Sequence, residues 1–166
     1  DDSTSKSMNG GTVWNLQNDD HTFAGNVTLR DGLRQSKNIV AAKVLNTIGT
    51  KVSHSYGEKF GLVYNNSSKS QVATLALGQF DGNGDGGNTF ITSSAFGVFG
   101  NEGTYTEPKL YCKVVDASGN VLLDSEANIK TKEIFSKQTA WLMYDLLKGS
   151  RSYTGPSAQW GSIPVA

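Results

Sequence analysis

The chain has 166 residues, a length that fits one domain or subdomain. Its 15 basic and 15 acidic residues cancel, which removes the electrostatic case for a nucleic acid or an anionic membrane surface as partner. No apolar run reaches the length of a transmembrane helix and no signal peptide is visible; a fragment would lose both from its N-terminus, so neither argues for a cytoplasmic origin. Hydrophobic residues make up 37% and there are 19 glycines, a lean core that implies extended loops or a surface meant to pack on further sequence.

Residues 1–27 read as a polar, loop-like approach segment, with Gly10-Gly11 ahead of Trp14. Ser3-Thr4-Ser5-Lys6 has the Ser-x-x-Lys spacing of an activated serine. It lacks the apolar helical face that such a nucleophile needs, so Ser3 is not assigned that role. Thr28 and Asp31 form a Thr-x-x-Asp capping box that starts a helix carrying Leu29 and Leu33 on one face. A second helix carries Ile39, Ala42, Lys43, Val44, Leu45 and Ile48 at helical spacing until Gly49 stops it. Between the two sits Ser36-Lys37-Asn38. A short polar hinge between two apolar-backed helices can hold a hydroxyl and an amide rigidly at a cleft, with Lys37 facing solvent. Taken alone, a Ser-x-Asn triplet is also what an ordinary capping turn looks like.

Further along, 65–70 reads as a polar loop. Asp81-Gly82-Asn83-Gly84-Asp85-Gly86 satisfies the first half of a calcium-binding loop, with oxygen side chains at alternate positions and Gly for the sharp turn. Thr92 stands where the bidentate Glu should be, so Asp81, Asn83 and Asp85 form only a weak metal candidate, and a Gly/Asp turn is the expectation. Ser93 to Phe99 reads as a short buried helix with Phe96 and Phe99 inward. Lys109 to Val115 alternates like a strand containing a half-buried Cys112. With Val121 to Asp124 it frames the turn signal Asp116 to Asn120, so 109–124 is expected to be a β-hairpin. Phe135 to Leu147 reads as a helix capped by Ser136, with Phe135, Thr139, Leu142, Met143 and Leu146 on one face and Gly149 ending it. The stretch 149–166 is expected to be loop. A single cysteine excludes an internal disulfide and a cysteine metal cluster. His21 and His54 are lone residues in polar segments, expected at the surface. No internal repeat is present.

Several of these segments resemble, in order, the transpeptidase domain of class A, bifunctional penicillin-binding proteins. The run 27–38, VTLRDGLRQSKN, is similar to that family's "V-T-L-R-x-A-L-x-x-S-x-N". Asn18 to Gly25 resembles "N-Y-D-x-x-F-x-G", Tyr56 to Leu62 a short helix ending in "F-G-I/L", Leu75 to Gly78 "L-A-L-G", and Thr92 to Pro108 the stretch ending "F-A-N-x-G-x-Y-x-x-P". Ile163-Pro164-Val165-Ala166 looks like the segment that directly precedes Gly-Lys-Thr-Gly in the family.

The resemblance implies an α+β fold, mainly helical with one small β-hairpin. It implies an internal piece of a single transpeptidase domain that lacks the nucleophile helix and the Lys-Thr-Gly strand. The pieces are 1–27, the helical part 28–108, the hairpin 109–124, the helix 135–148, and 149–166 leading toward the third motif. It implies a D,D-transpeptidase that cross-links peptidoglycan stem peptides through an acyl-serine, at the extracellular face of a bacterial cytoplasmic membrane, with no cofactor. Ser36 matches the second-motif serine that relays protons, and Asn38 the asparagine that binds substrate and steadies the catalytic lysine. The partners implied are stem peptides, β-lactams acylating a serine absent here, and the remainder of the domain. The chain alone is expected to be inactive. A serine β-lactamase fits less well, because its usual triplet is Ser-Asp-Asn. The competing reading is a non-catalytic binding or scaffold domain of a cell-wall protein, in which Ser-x-Asn is only a cap.

Overall fold

Asn9 and Thr12 close a two-residue turn in which Gly10 (φ 60°) and Gly11 (φ 94°) both take positive φ. That backbone matches the twist of paired strands and joins β1 (Ser5–Asn9) to β2 (Thr12–Leu16). The segment expected to be a loop is therefore partly a hairpin. Its inner face carries Ser7 opposite Trp14, and Leu16 is buried at its end. Asn9 fastens it in place by accepting from the Ala73 N–H through Oδ1 at 2.9 Å. The protein is described by a computed structural model covering residues 1–154, with side chains to Ser150. Ile163-Pro164-Val165-Ala166 and the rest of 155–166 lie outside the described residues.

Helices follow the hairpin: α1 (Leu29–Arg34), α2 (Asn38–Ile48), α3 (Thr50–Lys59), α4 (Val72–Leu77) and α5 (Thr89–Gly100). β3 (Thr104–Thr106) pairs antiparallel with β6 (Thr131–Glu133), enclosing the hairpin of β4 (Lys113–Val115) and β5 (Val121–Asp124). α6 (Lys137–Thr154) closes the described chain and packs along α1. The α+β, mainly helical class stands, and two further two-stranded sheets accompany the β4–β5 hairpin. No helix among the described residues is long and apolar enough to cross a membrane.

Two apolar clusters hold these elements together. In the first, Ile39, Ala42 and Leu45 on one face of α2 meet Leu16 and Val72, with Trp14, Leu75 and Ala76 at the edge. Full burial of such a side chain contributes about 1.5–3 kcal/mol, so this face decides where α2 sits. In the second, Phe135 stacks on Tyr56 (5.3 Å) and Phe99 (5.8 Å), with Phe60 tilted against it at 6.1 Å.

Four local expectations are corrected. The helix at Ser93–Phe99 is longer, starts at an Asn88 cap, and buries Val98, while Phe96 points outward at 57% exposure. Phe96 and Phe99 are three residues apart but only Phe99 reaches the Phe135 stack. The strand expected over Lys109–Val115 shrinks to Lys113–Val115, and Cys112 is exposed. Ser125 explains this: its N–H and hydroxyl both donate to the Cys112 carbonyl, and its hydroxyl also to that of Tyr111. The chain is thereby tied off below the ladder. α6 runs on through Gly149 rather than stopping there, and a Cβ at that position would meet the Arg34 stem only at ordinary contact distance, with Cδ at 3.7 Å. Leu142 is exposed, and Ala140 provides the buried contact instead. Lastly, His54 is partly buried, 3.7 Å from Glu58 one turn along and beside Tyr64, whereas His21 is exposed as expected.

Candidate functional site: the Ser36–Asn38 hinge

The hinge is built by the way α1 stops. Thr28 caps its start, accepting from the Asp31 N–H at 3.0 Å while donating to the Asp31 carboxylate at 2.8 Å. At its end the Ser36 N–H donates to the Leu33 carbonyl (3.1 Å) and the Lys37 N–H to the Gly32 carbonyl (2.9 Å). Those two bonds are the Schellman pattern, which requires a left-handed residue and usually takes glycine. Here that residue is Ser36, at φ 55°. Lys37 is extended (φ −73°, ψ 109°), and α2 begins at Asn38. The close crossing of the two helices needs Gly32, because a Cβ there would overlap the Val40 side chain.

Ser36 and Asn38 emerge together on a groove of about 540 Å³, lined also by Leu29, Val44, Ile48 and Leu77. Ser36 is exposed, and its hydroxyl makes no hydrogen bond to any described residue. Asn38 donates through Nδ2 to the Gln17 carbonyl at 3.3 Å, which fixes its plane and leaves Oδ1 open to the groove. The structure thus places the two sequence-derived site residues on one cleft, one as a mobile-proton hydroxyl and one as an anchored amide. Ser3, whose Oγ donates to Asp1, lies just ahead of β1 and Lys6 within it, so neither stands on a helix.

Lys37 does not face solvent. It is 7% exposed, with Nζ 3.1 Å from Asp20 Oδ2, 3.4 Å from Thr22 Oγ1 and 3.7 Å from Asp2 Oδ2. A residue between a left-handed turn and a helix start points opposite to its neighbours, so exposing Ser36 turns Lys37 inward, where a charge must be paired. Asp2 is 0% exposed. Burial pushes its carboxyl up, but donation from Asn18 Nδ2 (2.7 Å) and the Ala24 N–H (3.0 Å), with the Lys37 charge, outweighs this and holds it below the ordinary value. Asp20 is held down to about 2 by the N–H and hydroxyl of Thr22 and by Lys37. Asn18 completes the cluster: its Nδ2 also donates to the Thr22 carbonyl at 2.8 Å, and its Oδ1 accepts from the Ile39 N–H at the start of α2. Asp2 carried no sequence signal beyond its charge. Asn18 and Asp20 were visible only as part of the 18–25 stretch, and a lysine in the hinge was the one hint that a carboxylate should face it.

The weak metal candidates are otherwise engaged. Asp85 accepts from the Ser68 hydroxyl and from the Gly82 N–H, and Asp81 Oδ1 accepts from the Asn83 N–H at 2.8 Å. Asn65 Nδ2 braces the loop by donating to the Asn83 carbonyl. These bonds describe a self-closed Gly/Asp turn.

The penicillin binding protein transpeptidase domain family matches this chain over residues 1–164. The chain belongs to the penicillin-binding protein transpeptidase family. Among its relatives, Penicillin-binding protein 1A of Clostridium acetobutylicum is 45% identical over 158 residues, covering 94% of this chain and 19% of that protein. Penicillin-binding protein 1A of Clostridium perfringens is 47% identical over 154 residues, covering 90% of this chain and 22% of that protein. This chain therefore spans about a fifth of the length of the curated relatives it matches. The transpeptidase fold is also seen in two solved structures. The D,D-transpeptidase domain of a peptidoglycan glycosyltransferase from Eggerthella lenta superposes with a TM-score of 0.73 at 19% identity, over 99% of this chain and 46% of that one. Penicillin-binding protein A of M. tuberculosis, an imipenem acyl-enzyme complex, superposes with a TM-score of 0.74 at 15% identity, over 96% of this chain and 40% of that one.

Proposed function

We propose that this chain is an internal part of a peptidoglycan D,D-transpeptidase domain and that Ser36 and Asn38 act in its acyl transfer. The observation that carries the reading is Ser36: a left-handed serine with an unbonded hydroxyl at the mouth of a groove, in a chain whose family match runs over residues 1–164. In the reaction, a nucleophilic serine attacks the carbonyl of the penultimate D-Ala of a stem peptide. The C–N bond to the terminal D-Ala breaks, and that amine leaves with a proton. An amine of a second stem then takes the acyl group and regenerates the serine. The nucleophile, its lysine and the Lys-Thr-Gly strand would come from sequence outside this chain.

Ser36 both donates and accepts, so it relays a proton between the lysine amine and the leaving nitrogen. Asn38, its plane set by the Gln17 carbonyl, presents an amide to the substrate backbone and to the lysine. The apolar groove beside them is where the rest of the domain packs, which accounts for Leu29 and Ile48 being exposed here. On this reading the whole protein works at the outer face of a bacterial cytoplasmic membrane, and β-lactams acylate the same serine that the stem peptide does.

The test uses a full-length protein carrying this chain. Ser36→Ala and Asn38→Ala are each expected to lower stem-peptide cross-linking and fluorescent-penicillin labelling by roughly 10²–10⁴-fold, the usual range for a positioned proton-transfer group. Labelling and cross-linking at the natural level in Ser36→Ala would remove the relay role from Ser36, whereas a natural protein that neither labels nor cross-links would favour the scaffold reading instead. The chain by itself is expected to give no stable penicillin adduct, and a mass increase after incubation with penicillin would contradict that.

A further inference from the structure

We infer that Lys37, held by Asp2, Asp20 and Asn18, is the positioning device of this site: a buried charge clamp that sets the rotation of the hinge so that Ser36 and Asn38 face the groove. The inference rests on the transpeptidase reading above and adds residues to it that the reading does not use.

The geometry supports a clamp rather than a chance burial. Three successive positions, 37 to 39, are gripped from behind by the loop of Gln17 to Asp20, with Asp2 beside it. Lys37 is gripped through Nζ by Asp20 at 3.1 Å, with Asp2 at 3.7 Å. Asn38 is gripped through Nδ2 by the Gln17 carbonyl. Ile39 is gripped through its backbone N–H by Asn18 Oδ1 at 3.3 Å. Ser36, the residue left ungripped, is the one whose side chain stands exposed at the groove. Asp2 is itself fixed by an antiparallel bridge, its N–H donating to the Gly25 carbonyl and its carbonyl accepting from the Gly25 N–H at 3.0 Å. The clamp therefore reaches the hinge from the bridged Asp2 and from the 17–22 turn, and neither α1 nor α2 supplies any of it.

A hinge turned by one residue would exchange inward and outward positions. Ser36 would then be buried and Lys37 would stand in the groove. A buried ion pair adds little net stability compared with apolar packing, but a charge left alone there is strongly unfavourable. The pair is suited to excluding the alternative rotation, since only one setting brings the Lys37 ammonium to both carboxylates.

The experiment compares Lys37→Met, Lys37→Met with Asp2→Asn, and Asp20→Asn in a full-length protein carrying this chain, by melting temperature and by stopped-flow acylation with penicillin. Misplacement by about 1 Å costs on the order of 10²-fold in such reactions. Lys37→Met is expected to lower the first-order acylation step by about 10–100-fold, with the preceding dissociation constant changed little. The double variant, which leaves no unpaired buried charge, is expected to regain melting temperature without regaining the acylation step. A purely structural lysine predicts the opposite: a reduced amplitude at an unchanged rate, with melting temperature and amplitude both recovered in the double variant. That outcome, or Lys37→Met acylating within threefold of the natural rate, overturns the inference. Should Lys37→Met not fold, Asp20→Asn decides. Asp20 is half-exposed and its loss tolerable, so a threefold or greater slowing at the natural melting temperature supports the clamp and a smaller one overturns it. Ser36→Ala and the natural protein run alongside separate the two ideas: natural acylation in Ser36→Ala removes the role given to Ser36, and no acylation of the natural protein removes the transpeptidase reading, whatever Lys37 does.

Discussion

Ser36→Gly separates the strain in the hinge from its chemistry. An L-residue in the left-handed region costs about 1–2 kcal/mol, and Ser36 bears this at φ 55°. Glycine removes that cost but gives back about 0.5–1 kcal/mol through its freer unfolded chain. The hydroxyl makes no hydrogen bond to a described residue, so losing it subtracts nothing from folding. The expected net change is a stabilisation of about 0.5–1 kcal/mol. For a chain of this size that is a rise of roughly 1–4 °C in melting temperature. Ser36→Ala keeps the strain and loses the hydroxyl, so its melting temperature should stay within about 2 °C of the natural value, the range of an ordinary surface change. In a full-length protein carrying this chain both variants should lose penicillin labelling alike. Differential scanning fluorimetry on the chain and gel fluorescence on the full-length protein give the two readouts. A fall in melting temperature of several degrees in either variant would mean the hydroxyl holds the fold together, and the description of Ser36 as an unbonded group on a strained turn would fail.

Gly103→Ala is expected to be the most damaging small change, at about 3–5 kcal/mol, read by denaturant unfolding. Gly103 sits at φ 87°, and a Cβ there would overlap the Phe135 carbonyl. Phe135→Ala should cost about 3–5 kcal/mol by the same measurement, since it empties the stack with Tyr56 and Phe99. Arg30→Ala should cost about 1 kcal/mol or less: the 2.7 Å pair with Asp145 joins α1 to α6 but is half-exposed. Acid should destabilise the protein. Asp20, at about 2 in the fold against an ordinary 3.8, and Asp2 and Asp145, both also lowered, contribute stability that is present above the ordinary value. That stability is lost as pH falls from about 4 toward 2. Melting temperature against pH should drop through that window, and a flat profile there would remove the clamp's ionised carboxylates from the description.

What the sequence determined by itself is what short-range chemistry dictates. Thr28 and Asp31 announce a helix start because a hydroxyl three residues before a carboxylate satisfies the first N–H groups. Asp116 to Asn120 announces a turn because Asp116 accepts from the N–H groups of Ser118 and Asn120. The spacing of Ile39, Ala42 and Leu45 announces the buried face of α2, and Ser36 and Asn38 stood out as polar residues between two such helices. The Gly10-Gly11 turn was equally readable, by the same local logic, and its flanking alternation should have made it a hairpin. The tertiary structure alone decided the rest. Gly149 does not end α6, which runs on to Thr154 and packs along α1, a helix from the other end of the chain. Phe96 and Phe99 part company because Phe135 offers a surface to only one of them. Lys37 is buried because Asp2 and Asp20, distant in sequence, converge beneath it. Each of these outcomes depends on which charge or ring arrives from elsewhere, and an ammonium reads the same in the chain whether it will meet water or a carboxylate.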